Sequence, residues 1–494
     1  MHQWQGGCFM LFIGIDLGTS AVKLLLMNEN GEILKTVSRE YPLFFPHPGW
    51  SEQNPDTWLE STLSGLCELL ENADKGDVCG ISFGGQMHGM VALDQNDRVV
   101  RPAILWNDGR TEKQTKYLNE VIGKKRLTEL TGNIAFAGFT APKILWMKEN
   151  EPENFSRVKK IMLPKDFLAY RLSGSFCTDV SDASGTLLFD VENRRFSEEM
   201  LQICGIKRDV LPKVYESYEI VGTLKKEYAN ALGLPENVKI AAGAGDNAAA
   251  AIGTGTVENG DCNISLGTSG TVFISKDTFA LDGANALHSF AHANGKYHLM
   301  GCMLSAASCN KWWCENILKT SDFSAEQQKA PLPKDNPVIF LPYLMGERSP
   351  HNNPDARGVF FGMSMDTRRE DMTVAVLEGV AFALRDSIEA AKAAGAVLSS
   401  TKICGGGAKS PLWRSIIANV TGLTVERVES EQGPALGAAM LAAVGCGCFS
   451  SVDSAAKAVV RVTDKTLPDA EILSQYEKKY NKFRQLYPAL KELF

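Results

Sequence analysis

Apolar residues run into and out of a short glycine-threonine-serine stretch twice, in "GIDLGTSAVKLLLM" from Gly14 to Met27 and in "NISLGTSGTVFI" from Asn263 to Ile274. Apolar or β-branched runs on both sides of so short a turn read as a β-hairpin, so the pattern predicts one hairpin in each half of the chain. From Asn54 to Asn72, Trp58, Leu59, Leu63, Leu66 and Leu70 recur at helical spacing behind an Asn-Pro start, which predicts an amphipathic helix with a core-facing stripe. Small residues from Ala241 end a further strand, and Asp246 opens an Ala-rich helical stretch. "TKICGGGAKSPLWRSIIANVTG" predicts a strand, three glycines and a helix with Ser410 as N-cap and Pro411 at its first position. Leu377 to Gly395 and Gly433 to Gly445 predict two more helices, each ended by glycine. "HSFAHANGKYHLM" predicts a hairpin turning at Asn294-Gly295. On a strand, His288 and His292 would lie about 13 Å apart, too far to share a zinc ion.

Length turns this pattern into two domains. A chain of 494 residues is too long for one ordinary core, and 44% hydrophobic with 22% charged residues is the mixture of a soluble globular protein. Both halves are α/β, and no Pro/Ser-rich linker separates them; the boundary is expected in "GTGTVENGD", Gly253 to Asp261, dividing residues 10–255 from 256–494. A net charge of -7 leaves no surplus of Lys and Arg to neutralise a phosphate backbone, which excludes nucleic acid and anionic membrane as expected partners. Apolar runs such as Phe9 to Ile13 are far below the roughly 20 residues that span a bilayer. "MHQWQGGCFMLF" lacks a basic region and a small-residue cleavage site, so no leader is expected. Twelve cysteines without a CxxC pair read as the reduced, small hydrophobes of a cytoplasmic protein.

Four polar clusters are candidates for chemistry: Asp16, "GGQMHGM" at Gly84 to Met90, "LWNDGR" at Leu105 to Arg110, and Asp246 with Asn247. Each has a plainer reading, since Asp16 could stabilise its own turn, Asp246 could cap its helix and His88 could be a satisfied buried histidine. Together they fit one chemistry. Glycine turns let successive amides face one anion, so the two hairpins could grip phosphate, and a carboxylate beside such a turn suits Mg²⁺, which prefers oxygen ligands. A second carboxylate at a strand-to-helix corner suits a proton acceptor. Only the first hairpin has its aspartate, with Ser265 at the matching place in the second. His88, Trp106, Asn107, Asp108 and Arg110 mix donors, acceptors and a flat aromatic face, as a sugar requires. "GAGDNAAAAIGTG" is not a P-loop, because no Lys-Ser/Thr follows its last glycine.

The order of "GIDLGTSAVK", "HPGWSEQNP", "GQMHG", "RPAILWNDGR", "GFTAPKILW", "LPKDFL", "SDASGT", "GDNAAAA", "SLGTSG", "LPYLMGERSPHNNP", "RGVFFG", "GGGA" and "GPALGAA" resembles the FGGY carbohydrate kinases from about Met10 to the C-terminus. The resemblance implies two ribonuclease-H-like domains similar to actin, with nucleotide and sugar meeting in an inter-domain cleft, and a homodimer. It implies ATP and Mg²⁺ as co-substrate and cofactor, and transfer of the γ-phosphoryl group to D-xylulose, giving D-xylulose 5-phosphate. Asp246 then matches the general base, and Met87, His88, Asp246 and Asn247 match sugar contacts. Asp16 matches the carboxylate at the metal-phosphate end. Gly18, Thr19, Ser20, Lys23, Gly267, Thr268, Ser269, Gly406, Gly407 and Ala408 fall at nucleotide positions. Where some relatives offer an Asn to adenine after the GGGA run, this chain has Pro411, which implies relaxed nucleotide preference. Ribulose or gluconate as the sugar, and a non-catalytic actin-like nucleotide switch, remain as alternatives.

Overall fold

In a computed structural model that describes residues 10–328 and 336–494, each predicted hairpin forms the middle of a seven-stranded sheet. Residues 1–9, most of the stretch read as no leader, lie outside the described residues. The first sheet is built from β1 (Leu11–Leu17), β2 (Ala21–Asn28), β3 (Ile33–Glu40), β4 (Val78–Gly85), β5 (Ile220–Thr223), β6 (Lys239–Ala241) and β7 (Ala244–Gly245). Its order is β5-β6-β4-β1-β2-β3, with β7 also paired to β4. Along β1 and β2 alternate side chains enter opposite faces: Ile13, Ile15 and Leu24 pack with Trp58 and Leu66, whereas Phe12, Leu25 and Met27 pack with Ala249, Ile252 and Met440. Both faces are therefore covered by helix. On one lies Pro55–Leu69, whose N-cap Asn54 accepts the Asp56 amide as the Asn-Pro start predicts; on the other lie Asp246–Gly253 and Gly433–Gly445.

The second sheet contains β8 (Cys262–Leu266), β9 (Gly270–Lys276), β10 (His288–Ala291), β11 (Tyr297–Met303), β12 (Ser400–Cys404), β13 (Thr424–Val428) and β14 (Val462–Thr466), in the order β10-β11-β9-β8-β12-β13-β14. The run β11-β9-β8-β12-β13-β14 repeats the order β3-β2-β1-β4-β6-β5. In each sheet a hairpin is followed by two parallel strands and an antiparallel edge. The doubled LGTS is thus the centre of a doubled topology. The turns differ in length, however: the ladder of the first closes at Leu17 opposite Val22, that of the second at Leu266 opposite Gly270.

The turn between β10 and β11 is made as predicted, with Gly295 at φ +86° and the His292 amide bonded to the Lys296 carbonyl at 2.9 Å. Ser410 caps the helix Pro411–Thr421, accepting the Trp413 amide at 3.1 Å. The helix expected from Leu377 begins earlier, spanning Arg369–Ala393, because its polar first turn hides the apolar stripe and is closed by Asp371 accepting the Arg368 amide at 2.9 Å. The chain divides into two compact units, the first break falling after Val257. It returns to the first unit twice, in Phe290–Tyr297 and Gln432–Val460, which a single boundary after residue 255 does not anticipate. The reason is local to the first unit: Gly14, Gly253 and Gly437 let the helix Gly433–Gly445 touch backbone directly. A Cβ on Gly437 would lie 1.9 Å from the Ala249 carbonyl oxygen, and one on Gly14 1.9 Å from that of Ala435. Among the described residues no helix is long and apolar enough to cross a membrane.

Candidate active site

The parallel strands β1, β4 and β7 end side by side in the first unit, with Asp16 and Ala244 both in register with Gly84. Carboxyl ends of parallel strands are where open α/β sheets receive ligands. The break between β6 and β7 is possible because Gly243, at φ +82°, has no Cβ; one there would lie 2.5 Å from the Phe83 carbonyl oxygen. The chain then enters the helix at Asp246. Gly245, not Asp246, is the N-cap, and Asp246 Oδ1 accepts the Asn247 amide at 2.7 Å and its Nδ2 at 2.9 Å. Burial pushes the Asp246 carboxyl up to about 6, against those two hydrogen bonds. Asp16 is pushed up to about 7, first by burial and then by the charge of Asp246, with Lys23 opposing. Among the described residues Asp16 makes no hydrogen bond to its own turn, so turn stabilisation does not account for it.

Met87 and His88 join this pair. Met87 is buried against Gly245, where a Cβ would meet its Cγ at 2.9 Å. His88 adopts φ 68°, its Nδ1 lies 2.7 Å from the Gly185 carbonyl oxygen, and its ring stacks on Phe139 at 4.6 Å. Its own carbonyl accepts from Thr140 Oγ1 and Lys143 Nζ at 3.1 and 2.8 Å. Trp106 and Asn107 are exposed on the loop after Leu105. Asp108 and Arg110 correct the sequence reading, which gave them to the sugar. Both side chains are 0% exposed: Arg110 Nε and Nη2 donate to Asp108 at 2.8 and 2.7 Å, Arg110 also pairs with Glu52, and its guanidinium lies 3.7 Å over Trp50. A carboxylate and a guanidinium that close on each other shape the loop and have no surface left for a ligand.

The first glycine-threonine-serine turn is held from one side. Thr19 O accepts Gln53 Nε2 at 2.6 Å, and Gly18 O accepts Gln86 Nε2 at 3.3 Å together with the Tyr41 hydroxyl. The exposed Ser20 has its carbonyl bonded to the Tyr41 amide at 3.1 Å, and Lys23 faces Asp16 across the ladder. In the second unit, Gly267 O and Thr268 O accept the amides of Ala307 and Ala306 at 2.8 and 2.9 Å, leaving Thr268 and Ser269 exposed. Ser265 pairs with Cys404, so Gly405 to Gly407 follow immediately beside this turn. Gly406 is open, whereas Gly407 and Ala408 are buried, Gly407 against Leu266, and Ala408 O accepts Arg414 Nη1 at 2.9 Å. Pro411 is the first residue of its helix and offers no donor.

Tyr41 lies in none of the stretches singled out in the sequence, and although Gln53, Gln86 and Lys165 fall inside them, nothing local discloses what they bond. The fully buried Lys165 ammonium lies 2.6 Å from Asp166 and 2.8 Å from Asp179. Burial disfavours its charge, but Asp166, Asp179 and Asp182 outweigh this and hold it well above the ordinary lysine range. Asp179 accepts the Ser181 hydroxyl at 2.5 Å, and Ser181 Oγ in turn accepts the Gly245 amide at 3.1 Å. This buried charge network thereby anchors the residue before Asp246.

The sequence pattern of the N-terminal domain of the FGGY family of carbohydrate kinases matches residues 11–253, and that of its C-terminal domain matches residues 262–446. A xylulose kinase of Escherichia coli (strain K12) is 42% identical over 97% of this chain and 99% of its own; one of Bacillus subtilis (strain 168) is 38% identical over 97% of each. Among solved structures, a "xyloylose kinase" from Brucella ovis superposes with a TM-score of 0.93 at 37% identity, covering 98% of this chain and 100% of its own. A gluconate kinase from Lactobacillus acidophilus reaches the same TM-score at 26% identity, covering 98% of each chain. With both domain patterns matched in order, the chain belongs to the FGGY family of carbohydrate kinases.

Proposed function

We propose that the protein transfers the γ-phosphoryl group of ATP to the 5-hydroxyl of D-xylulose. The observation that supports this most is the pair of carboxylates, Asp16 and Asp246, at the ends of neighbouring parallel strands beside Met87 and His88. Asp246 accepts the hydroxyl proton as oxygen attacks phosphorus in line and the bond to the ADP oxygen breaks. Its carboxyl, raised to about 6, is ionised at neutral pH yet basic enough to take a proton as the hydroxyl becomes nucleophilic. Asn247 orients that carboxylate through its two hydrogen bonds. Met87 and His88 hold the sugar, with Trp106 and Asn107 on the exposed loop.

Asp16 fits a hard cation: its carboxylate has no hydrogen bond among the described residues, and its neighbour Asp246 adds negative charge that a divalent ion relieves. Asp16 would hold Mg²⁺ together with nucleotide oxygens, and the ion would supply positive charge to the phosphates. In the first unit Gly18, Thr19, Ser20 and Lys23 face phosphate. In the second, Gly267, Thr268, Ser269 and Gly406 take the nucleotide, backed by the buried Gly407 and Ala408. Relatives named xylulose kinase support the choice of sugar. The same reading takes the enzyme as a cytoplasmic homodimer, which sedimentation at assay concentration tests.

A coupled ADP-release assay over D-xylulose, ribulose and gluconate tests the substrate. D-xylulose is expected to give kcat/KM at least about 100-fold above the other two, because a site built to bond each hydroxyl penalises a misplaced one strongly. A preference for gluconate or ribulose would replace the substrate assignment, and sugar-independent behaviour throughout would favour a nucleotide switch.

A further inference from the structure

Two residues assigned above to different ligands touch each other: the Trp106 indole N–H donates to Thr19 Oγ1 at 2.9 Å. An indole nitrogen is a donor only, whereas a threonine hydroxyl has one proton and two acceptor lone pairs. Accepting Trp106 fills a lone pair and leaves the hydroxyl proton to be donated. Among the described residues Thr19 Oγ1 makes no other hydrogen bond, so that proton is uncommitted. The rest of the turn is already fixed, Thr19 O by Gln53 and Gly18 O by Gln86 and Tyr41, while the Gly18 amide bonds Ala21 O at 3.0 Å.

The backbone at Trp106 is itself held in place. The Leu105 amide bonds Ser51 O at 3.0 Å, a Cβ on Gly138 would lie 2.3 Å from the Trp106 carbonyl oxygen, and two residues on the Asp108–Arg110 pair locks the loop. The backbone that carries the indole is thus held, the exposed ring is placed by its bond to Thr19, and the hydroxyl it meets lies on a fixed turn. We infer that Trp106 is a positioning residue for phosphoryl transfer: its indole N–H orients the Thr19 hydroxyl so that the threonine proton points to an oxygen of the transferred phosphoryl group. This rests on the kinase reading and deepens it, because the loop that meets the sugar then also sets the polarity of the turn that meets the phosphate. Thr19 is the residue that touches the reacting group, and Trp106 acts through it.

The test is a double-mutant cycle on the full chain, with Thr19→Val, Trp106→Phe and both together, assayed with ATP and D-xylulose beside the wild type. Thr19→Val is expected to lower kcat roughly 100-fold, the usual loss for one preorganised donor, while KM for D-xylulose moves less than about threefold. Thr19→Ser should recover most of that lost turnover. Trp106→Phe should lower kcat by about tenfold, and the double variant no further than Thr19→Val, because the bond that Phe removes is already gone there. Losses that multiply in the double variant, or a Trp106→Phe change confined to the sugar KM, overturn the inference, as does turnover of Thr19→Val within about twofold of the wild type. If the wild type prefers another sugar, the substrate assignment fails and the same cycle is run with that sugar. A wild type that phosphorylates none overturns both.

Discussion

Asp246 sits where burial and basicity are in tension. Its carboxyl, pushed up to about 6, binds a proton more readily in the fold than in the unfolded chain, so its contribution to stability falls as pH rises from the ordinary value of 3.8 through 6. Two outcomes follow. With sugar subsaturating, kcat/KM should fall about tenfold per pH unit below 6, as the base becomes protonated. Asp246→Asn at pH 7.5 should melt about 2–4 °C above the wild type, as expected if roughly 1 kcal/mol of desolvation is relieved. A flat acid limb would mean another group takes the proton. Lys165 behaves in the opposite sense: removing the ammonium by Lys165→Met leaves Asp166, Asp179 and Asp182 buried without a counter-charge. That variant should lose about 3–5 kcal/mol, read by denaturant unfolding, more than any other single change proposed for this unit.

At the level of elements, glycine does two different things. In the first unit Gly437 allows helix Gly433–Gly445 to lie backbone to backbone against Asp246–Gly253, since its absent Cβ would be 1.9 Å from the Ala249 carbonyl oxygen. Gly437→Ala must push the two helices apart and should cost about 1–3 kcal/mol, with turnover falling because Asp246 rides on the displaced helix. Gly406 in the second unit has nothing within 4 Å of where a Cβ would be, and no backbone requirement for glycine. Gly406→Ala should therefore unfold within about 0.5 kcal/mol of the wild type. If the nucleotide approaches this backbone as proposed, the added methyl should raise KM for ATP all the same. Unchanged nucleotide affinity would remove Gly406 from the site.

Across the whole molecule, what the sequence revealed was local. The hairpins, the Asn54 and Ser410 caps and the Asn294-Gly295 turn were readable because each is specified within a few residues. Non-local partners were not. Gln53 and Gln86 reach the turn at Gly18 and Thr19 from far along the chain, Lys165 meets Asp179 inside a core, and no periodicity marks any of them. Asp108 and Arg110 show the same limit: their types suit a sugar, but in the fold they bond each other. The return of Gln432–Val460 to the first unit was hidden too, since an Ala/Gly-rich helix gives no sign of which sheet it covers. The repeated LGTS disclosed a hairpin in each half, whereas the strand order built around it and used twice is set by pairings between distant segments and shows only in the fold.

The measurement closest to the centre of the account is turnover of Asp246→Asn with ATP and D-xylulose, followed by ADP release and by formation of the sugar phosphate. The account predicts a loss of at least about 1,000-fold in kcat in a protein that still melts cooperatively, as expected when a positioned general base is removed. Near-wild-type phosphorylation by that variant would contradict it.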